Sequence, residues 1–324
     1  MKNVFLIVTY ILFGSQLFSQ TTVPPILCSV LDTNTSKIPE NIIKTVAVDQ
    51  TDRVWFATGD CFFGGKLVEY DGVNFKTYDS TNSGLNDRFV TTIFVDANNT
   101  KWFGTRYHGL YKFDGKTWTN YAPENSPLPD VHILAIAQDK NETMWLATDK
   151  VVCSFDGKNW TLFRKEDMKM NFTAIYDVAV DTKNTKWIAT DDGFCSFDGT
   201  KWSVFGTENS KLPNNQVNHV YCDALGGVWV VYWSGLIRIE NNLWTIITPE
   251  NSGLPRFCDY SMVIDNTGMH WFATSMGVVR NQNDKWGTYN PLNSCVPSFF
   301  VNKIAVDSEN RKWCATNDGL LMIK

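Results

Sequence analysis

The chain has 324 residues, of which 44% are apolar and 14% aromatic, so it can bury a substantial core, and its many aromatic residues favour β-strands. The formal net charge of −5 and the lack of a Lys/Arg cluster argue against nucleic acid as a partner and against attachment to a membrane through a basic face.

The first 19 residues predict an export signal. Lys2 is followed by an apolar run from Val4 to Phe13 and then by small and polar residues, which is the anatomy of a secretory signal peptide. The run has about ten residues, whereas a helix that spans a bilayer needs about 20. We therefore predict a signal peptide over residues 1–19, a periplasmic or secreted mature chain, and no membrane insertion after cleavage.

From residue 49 onward the sequence repeats itself. An Asp followed six positions later by a Trp occurs seven times, and successive Trp residues lie 47, 43, 42, 42, 42 and 42 positions apart. Self-similarity at this period indicates stacked structural units. The seven pairs are Asp49/Trp55, Asp96/Trp102, Asp139/Trp145, Asp181/Trp187, Asp223/Trp229, Asp265/Trp271 and Asp307/Trp313.

Each unit has the pattern of four short strands. An apolar strand and a turn rich in Asp, Asn and Gly precede a strand of the type WFAT, and then come a third strand such as GLYKFDG and a fourth such as KTWTNY. Four strands in one such unit are typical of a propeller blade. We predict an all-β fold, a seven-bladed β-propeller of four-stranded blades that forms a single domain over residues 20–324.

The repeated residues are predicted to build the ring. Each blade is covered on both faces by its neighbours, so a Trp at one position can fill the gap of about 10 Å between sheets. The Asp is expected to accept hydrogen bonds from backbone N–H groups of its turn. Neither residue type is therefore needed for a ligand.

The two ends of the chain complement one another. The seventh unit runs NKIAVD, KWCATND and GLLMIK and has three strands. TNTSKIPEN at 33–41 nearly repeats TENSKLPNN at 207–215, which places residues 26–31 where fourth strands lie, with Cys28 equivalent to Trp202. We predict that residues 26–31 form the outer strand of the last blade and close the ring without an open edge.

The repeated DxxxxxW, followed by segments such as GLYKFDG and the NSGLP loop, resembles the two-component regulator propeller repeat. This repeat occurs in the periplasmic sensor regions of bacterial hybrid histidine kinases. The resemblance covers the chain from about residue 26. It implies a stand-alone, sensor-like propeller, without the kinase parts, that binds a ligand or a partner protein outside the cytoplasm.

Motifs for catalysis, metals and cofactors are not found. GDCFFGGKL at 59–67 lacks the spacing and the Ser/Thr of a phosphate-binding loop and is interpreted as a loop insertion in the first blade. DGKTW at 114–118 is one residue shorter than the Asp-box of sialidase-like propellers and is interpreted as a hairpin turn. His270 directly precedes Trp271 and is interpreted as structural. The four histidines lack zinc-ligand spacing, and we predict no metal, no cofactor and no catalytic residue.

Two of the eight cysteines share a position in the repeat. Cys153 and Cys195 are equivalent in adjacent units, whose sheets lie about 10 Å apart, whereas a disulfide needs Cα atoms within roughly 7 Å. Both thiols are therefore predicted to be free and buried. Other pairings, such as Cys258 with Cys295, stay open at this point.

Ligand-binding residues are sought where units depart from their own consensus. The loops between second and third strands, and those between blades, open on one face of a propeller around its channel. Aromatic faces beside Arg and Asp suit stacking and hydrogen bonding, so we predict a glycan, a peptide or a partner protein as ligand. The candidates are Arg88, Arg106, Tyr107, His108, His132, Trp233, Arg256, Asp259 and Tyr260.

Two functions remain open. The first is an exported, non-enzymatic binding propeller in which Trp233 offers a stacking surface. The alternative is a carbohydrate-active hydrolase or lyase that uses carboxylates at the channel mouth, for example Asp191 and Asp259. Carboxylates about 5 to 10 Å apart across the channel would favour the enzyme.

Overall fold

The computed structural model describes residues 24–324, with the exception of residues 60, 61, 63 and 256–260. The predicted signal peptide lies outside the described residues. Among those that are described, no helix is both long and apolar enough to cross a bilayer.

Seven antiparallel sheets of four strands form the blades, which confirms the predicted propeller. Blade 1 has β2 (Ile43–Val48), β3 (Val54–Thr58), β4 (Leu67–Tyr70) and β5 (Phe75–Tyr78). Blade 2 has β6 (Val90–Val95), β7 (Lys101–Thr105), β8 (Leu110–Phe113) and β9 (Trp118–Tyr121). Blade 3 has β10 (Ile133–Gln138), β11 (Met144–Thr148), β12 (Val152–Phe155) and β13 (Trp160–Phe163), and the short helix α1 (Lys165–Met168) follows it.

The remaining blades repeat this order. Blade 4 has β14 (Ile175–Val180), β15 (Lys186–Thr190), β16 (Gly193–Phe197) and β17 (Trp202–Phe205). Blade 5 has β18 (Val217–Cys222), β19 (Val228–Tyr232), β20 (Gly235–Glu240) and β21 (Leu243–Ile247). Blade 6 has β22 (Ser261–Ile264), β23 (His270–Thr274), β24 (Gly277–Gln282) and β25 (Lys285–Tyr289). Blade 7 has β26 (Val301–Val306), β27 (Lys312–Thr316), β28 (Gly319–Ile323) and, from the other end of the described chain, β1 (Cys28–Leu31).

The ring closes as predicted. β1 pairs antiparallel with β28, so that Cys28 lies opposite Ile323 and Leu31 opposite Leu320. Cys28 also forms a disulfide with Cys295, in the loop between blades 6 and 7, with the two Cα atoms 6.1 Å apart. The bond ties the first strand to the ring and answers the open question about Cys295. Cys258 lies outside the described residues.

The repeated Asp and Trp form one hydrogen-bonded unit in every blade. The Trp Nε1 group donates to the Oδ2 atom of its Asp in all seven pairs, at 2.8 to 3.2 Å. The Oδ1 atom accepts from backbone N–H groups of the turn, as Asp49 does from Thr51 and Arg53. The predicted turn cap is confirmed, and the same carboxylate also orients the indole.

The predicted burial of the repeated Trp residues holds for six of the seven, which are at most 5% exposed, whereas Trp187 is only partly buried. In three blades a Lys directly before the Trp reaches the Asp of the preceding blade, for example Lys101 Nζ at 2.9 Å from Asp49 Oδ2. In blade 5 this position is Val228, which packs in the same cluster as Trp187.

Smaller predictions also agree with the fold. Cys153 and Cys195 are free and fully buried, and burial raises the pKa of both thiols, that of Cys153 to about 12. Asp114 accepts hydrogen bonds from the backbone N–H groups of Lys116 and Thr117, so DGKTW is a hairpin turn. The 59–67 segment begins directly after β3 and extends to the first residue of β4.

Candidate functional site

The first strands of the blades surround a central channel with a cavity of about 710 Å³. Six of these strands have a register shift at their first residues, the mark of a β-bulge, which changes the direction of a side chain. These residues lie on the face where inter-blade loops and loops between second and third strands meet. Five of the bulge residues line the cavity: Lys44, Thr91, Leu134, Tyr176 and Asn302.

A carboxylate and an imidazole form a pair on the channel wall. Asp177 Oδ2 lies 3.1 Å from His219 Nδ1 and also accepts a hydrogen bond from the Val220 backbone N–H. The His219 side chain is one-third exposed, at 33%. This polar pair lies within strands β14 and β18 and was not among the residues predicted from the sequence.

The channel wall also has a cationic and aromatic side. Lys303 Nζ lies 5.9 Å from the centre of the Tyr221 ring, and this ring stacks on His219 with centroids 6.0 Å apart. With Lys44 and Asp177, the channel presents both signs of charge beside aromatic surface. Such a wall can contact polar and apolar parts of one ligand.

The structure brings together the predicted residues of blade 2. The Arg106 guanidinium lies 5.4 Å from the Tyr107 ring, which is 50% exposed. Asp87, which is buried, accepts a hydrogen bond from the Tyr107 backbone N–H at 2.7 Å, and its Oδ2 atom lies 3.2 Å from His108 Nδ1. Asp87 was not predicted from the sequence. Its carboxylate holds the loop that contains Arg106, Tyr107 and His108.

The other candidates are spread around the same face. His132 Nδ1 lies 2.9 Å from an oxygen of Asp149, which follows β11. Trp233 is 56% exposed in the turn between β19 and β20. The backbone carbonyl of Arg88 accepts from Gly65 N–H at 2.7 Å, which links the long blade 1 loop to blade 2. Arg256, Asp259 and Tyr260 lie outside the described residues.

Asp191, one of the two carboxylates of the enzymatic alternative, follows β15 and is held by the segment that precedes β14. It accepts hydrogen bonds from the backbone N–H groups of Thr173 and Ala174, at 2.9 and 3.0 Å, and from the Thr173 hydroxyl. Burial opposes its ionisation, but these hydrogen bonds outweigh burial and lower the pKa of Asp191. Its carboxylate therefore joins the turn after β15 to the inter-blade loop before β14. Within the described ranges no three His, Cys, Asp or Glu side chains are placed to hold a metal ion.

Comparison with known families supports the resemblance seen in the repeat. The two component regulator propeller profile matches residues 127–150, which contain the end of the inter-blade loop and the first two strands of blade 3. No curated protein sequence matches the chain.

Solved structures share the fold at low sequence identity. The extracellular domain of BT3049, assigned to a hybrid two component system of Bacteroides thetaiotaomicron, has 18% identity and a TM-score of 0.76 over 93% of this chain and 42% of that chain. PorZ, a surface component of the type-IX secretion system of Porphyromonas gingivalis, has 16% identity and a TM-score of 0.69 over 88% and 46%. Virginiamycin B lyase from Staphylococcus aureus has 13% identity and a TM-score of 0.73 over 92% and 99%.

The chain thus spans about two fifths of the Bacteroides extracellular domain and nearly the whole length of the lyase. Identities this low establish the fold alone. The chain is a seven-bladed β-propeller that carries a two component regulator propeller repeat and is similar in structure both to sensor propellers and to a lyase propeller.

Proposed function

We propose that this chain is an exported, non-enzymatic binding propeller that holds a glycan, a peptide or a segment of a partner protein at the mouth of its channel. The observation that carries the proposal is the chemistry of that mouth. Residues that differ from the repeat consensus lie at this mouth. The repeated Asp and Trp side chains, in contrast, hydrogen-bond one another within the blades.

The mouth offers the contacts that such ligands need. Exposed rings of Tyr107 and Trp233 provide stacking surfaces, and Arg106 lies against the first of these rings. Inside the channel, Lys44 and the Asp177–His219 pair supply hydrogen-bonding groups. A cavity of about 710 Å³ lies within the usual range of about 300 to 1,000 Å³ for ligand pockets.

Export is supported by three independent features. The sequence predicts a signal peptide over residues 1–19, and the Cys28–Cys295 disulfide is typical of proteins in oxidising compartments. The Bacteroides match is itself described as an extracellular domain. We therefore propose that the mature propeller, over residues 20–324, is periplasmic or secreted.

The likeness to virginiamycin B lyase keeps a hydrolase or lyase as the second candidate. The two functions differ in what happens to the ligand, because a sensor-like propeller returns it unchanged. Asp191 is engaged by the inter-blade loop before β14, which favours the binding function over a catalytic role for this carboxylate.

A thermal-shift screen against oligosaccharides and peptides, with mass spectrometry of each mixture afterwards, tests the proposal. A ligand at about 100 times its Kd should add about 2.7 kcal/mol to the free energy of unfolding. We expect at least one compound to raise the melting temperature and to be recovered intact. A stabilising compound that is cleaved would establish the enzymatic alternative, and a screen without any stabilising compound would contradict binding of these ligand classes.

A further inference from the structure

Blade 6 lacks an aromatic residue that most other blades have in the core between sheets. In blades 2, 3 and 4 a Phe near the end of the third strand stacks on the first Trp of the fourth strand, with ring centroids 4.4 to 4.6 Å apart. Phe113 lies opposite Trp118 in this way, and Asn281 lies opposite Trp286 at the equivalent place in blade 6. An amide thus replaces a ring at the interface with blade 5.

A cavity of about 360 Å³ lies at this interface. Trp229 and Arg238 of blade 5 line it on one side, and His270, Asn281 and Trp286 of blade 6 on the other. Its lining residues are all different from those of the channel cavity. It is therefore a separate site, and the inference does not rest on the function proposed for the channel mouth.

The cavity collects polar groups that have no partner. In the described part of the chain, five buried side-chain nitrogen or oxygen atoms lack a hydrogen bond, and three of them line this cavity. They are Arg238 Nε, His270 Nε2 and Asn281 Nδ2, and Asn281 is only 5% exposed. Native proteins satisfy nearly all such groups, because an unsatisfied buried donor costs about 1 to 3 kcal/mol. Their convergence on one cavity indicates an occupant that supplies hydrogen-bonding atoms.

The charge of the site indicates a neutral occupant. The Arg238 guanidinium is already paired, with Nη2 at 2.9 Å from Glu240 Oε2, and the Asp284 carboxylate also lines the cavity. Burial, and then the charge of Arg238, lowers the pKa of His270, so its imidazole is neutral at pH 7. An anion would meet the Asp284 carboxylate and a guanidinium that Glu240 already neutralises, and a cation would meet the guanidinium.

We infer that the cavity between blades 5 and 6 binds a neutral, hydroxyl-rich small molecule, a monosaccharide or a similar polyol. Its hydroxyl groups accept from Arg238 Nε and Asn281 Nδ2 and exchange a hydrogen bond with His270 Nε2. Its apolar C–H face packs on the indoles that line the cavity. His270, interpreted from sequence as structural, contacts the core ring of Trp229 with centroids 4.9 Å apart and also faces the ligand.

Isothermal titration of the full mature chain with glucose, galactose, N-acetylglucosamine and myo-inositol tests the inference. Asn281→Phe restores the ring of blades 2, 3 and 4 and occupies part of the cavity. We expect saturable binding of at least one of these four compounds to the native protein, weakened at least about tenfold in Asn281→Phe. The melting temperature of this variant should equal or exceed that of the native chain, because it replaces the unpartnered Asn281 amide by packed apolar surface.

Two further variants separate the site from the fold. Asn281→Ile is the second filling variant, since Ile239 and Ile323 occupy the equivalent position in blades 5 and 7, and it should also lose binding. Leu225→Ala, which changes an exposed side chain on another turn of blade 5, should bind like the native protein. Binding of none of the four compounds to the native chain, which would mean a cavity with water only, overturns the inference. Equal binding by both filling variants would do so as well.

Discussion

At the scale of single residues, the repeated Asp and Trp are linked by hydrogen bonds as well as by packing in the core. The spacing of six between Asp and Trp lets one carboxylate cap its turn with Oδ1 and orient the indole with Oδ2. Sequence reasoning predicted the cap, because Asp at a turn has few other uses. It did not predict the Lys that joins neighbouring blades, because only three units carry it at this position.

Burial predicts different costs for two of the repeated Trp residues. Trp55 is 1% exposed, so Trp55→Ala should lower the free energy of unfolding by about 3 to 5 kcal/mol through loss of burial and creation of a cavity. Trp187→Ala should cost less, because its indole is already partly exposed. Equilibrium urea unfolding of the two variants measures both values. An equal or larger cost at Trp187 would contradict this order.

At the scale of elements, neighbouring blades are joined through their first turns. Asn99, Asn184 and Asn310 have left-handed backbone conformations, with φ of 60°, 69° and 64°. Each directs Oδ1 to a backbone N–H of the preceding blade, for example Asn99 to Gln50 at 3.0 Å. Asn tolerates this conformation better than most residues, which accounts for its frequency in these turns.

Closure by β1 depends on a short strand that the disulfide secures. The Cys28–Cys295 bond spans 267 residues, so it restricts the unfolded chain strongly. The double variant Cys28→Ser, Cys295→Ser should lose about 2 to 5 kcal/mol of unfolding free energy, measured by urea unfolding without reductant. Cys153→Ser is the matched control for a cysteine outside the closure, and only the double variant should become insensitive to added reductant. An unchanged midpoint in the double variant would show that the bond adds nothing to closure.

At the scale of the whole molecule, three of the repeated turn carboxylates, those of Asp49, Asp139 and Asp265, make stability dependent on acid. Burial opposes the ionisation of Asp49, but hydrogen bonds from Thr51, Lys101 and Trp55 outweigh it and lower its pKa to about 2. The pKa values of Asp139 and Asp265 are lowered in the same way. An Asp in an unfolded chain has a pKa of about 3.9, so the native state favours the ionised form.

The stabilisation by these carboxylates is therefore complete above about pH 4 and is lost as the pH falls towards about 2. Urea midpoints measured at pH 7, 4, 3 and 2 should be similar at the first two values and fall steeply at the last two. A midpoint that is constant or rises between pH 4 and 2 would contradict this account of the three carboxylates.

The ring was more predictable than the site, for a physical reason. Blade number and closure follow from a period that every unit repeats, whereas the Cys28–Cys295 bond joins two positions outside the consensus. The Asp177–His219 pair had a usable signal, because the two residues are one repeat of 42 positions apart and equivalent first strands are neighbours around a channel. Arg106, Tyr107 and Trp233 were predicted because they lie in loops whose sequence differs between blades. Asp177 and His219 were missed because they lie within strands.

We expect the residues that all blades share to build the ring, and the residues at the channel mouth that differ from the consensus to bind the ligand. The variant Trp233→Ala tests this expectation most directly. Its melting temperature should lie within about 2 °C of the native value, because the side chain is 56% exposed, while the compound found in the thermal-shift screen should no longer bind. Trp55→Ala, measured beside it, should melt far lower. Normal binding by Trp233→Ala, or a loss of stability like that of Trp55→Ala, would contradict this expectation.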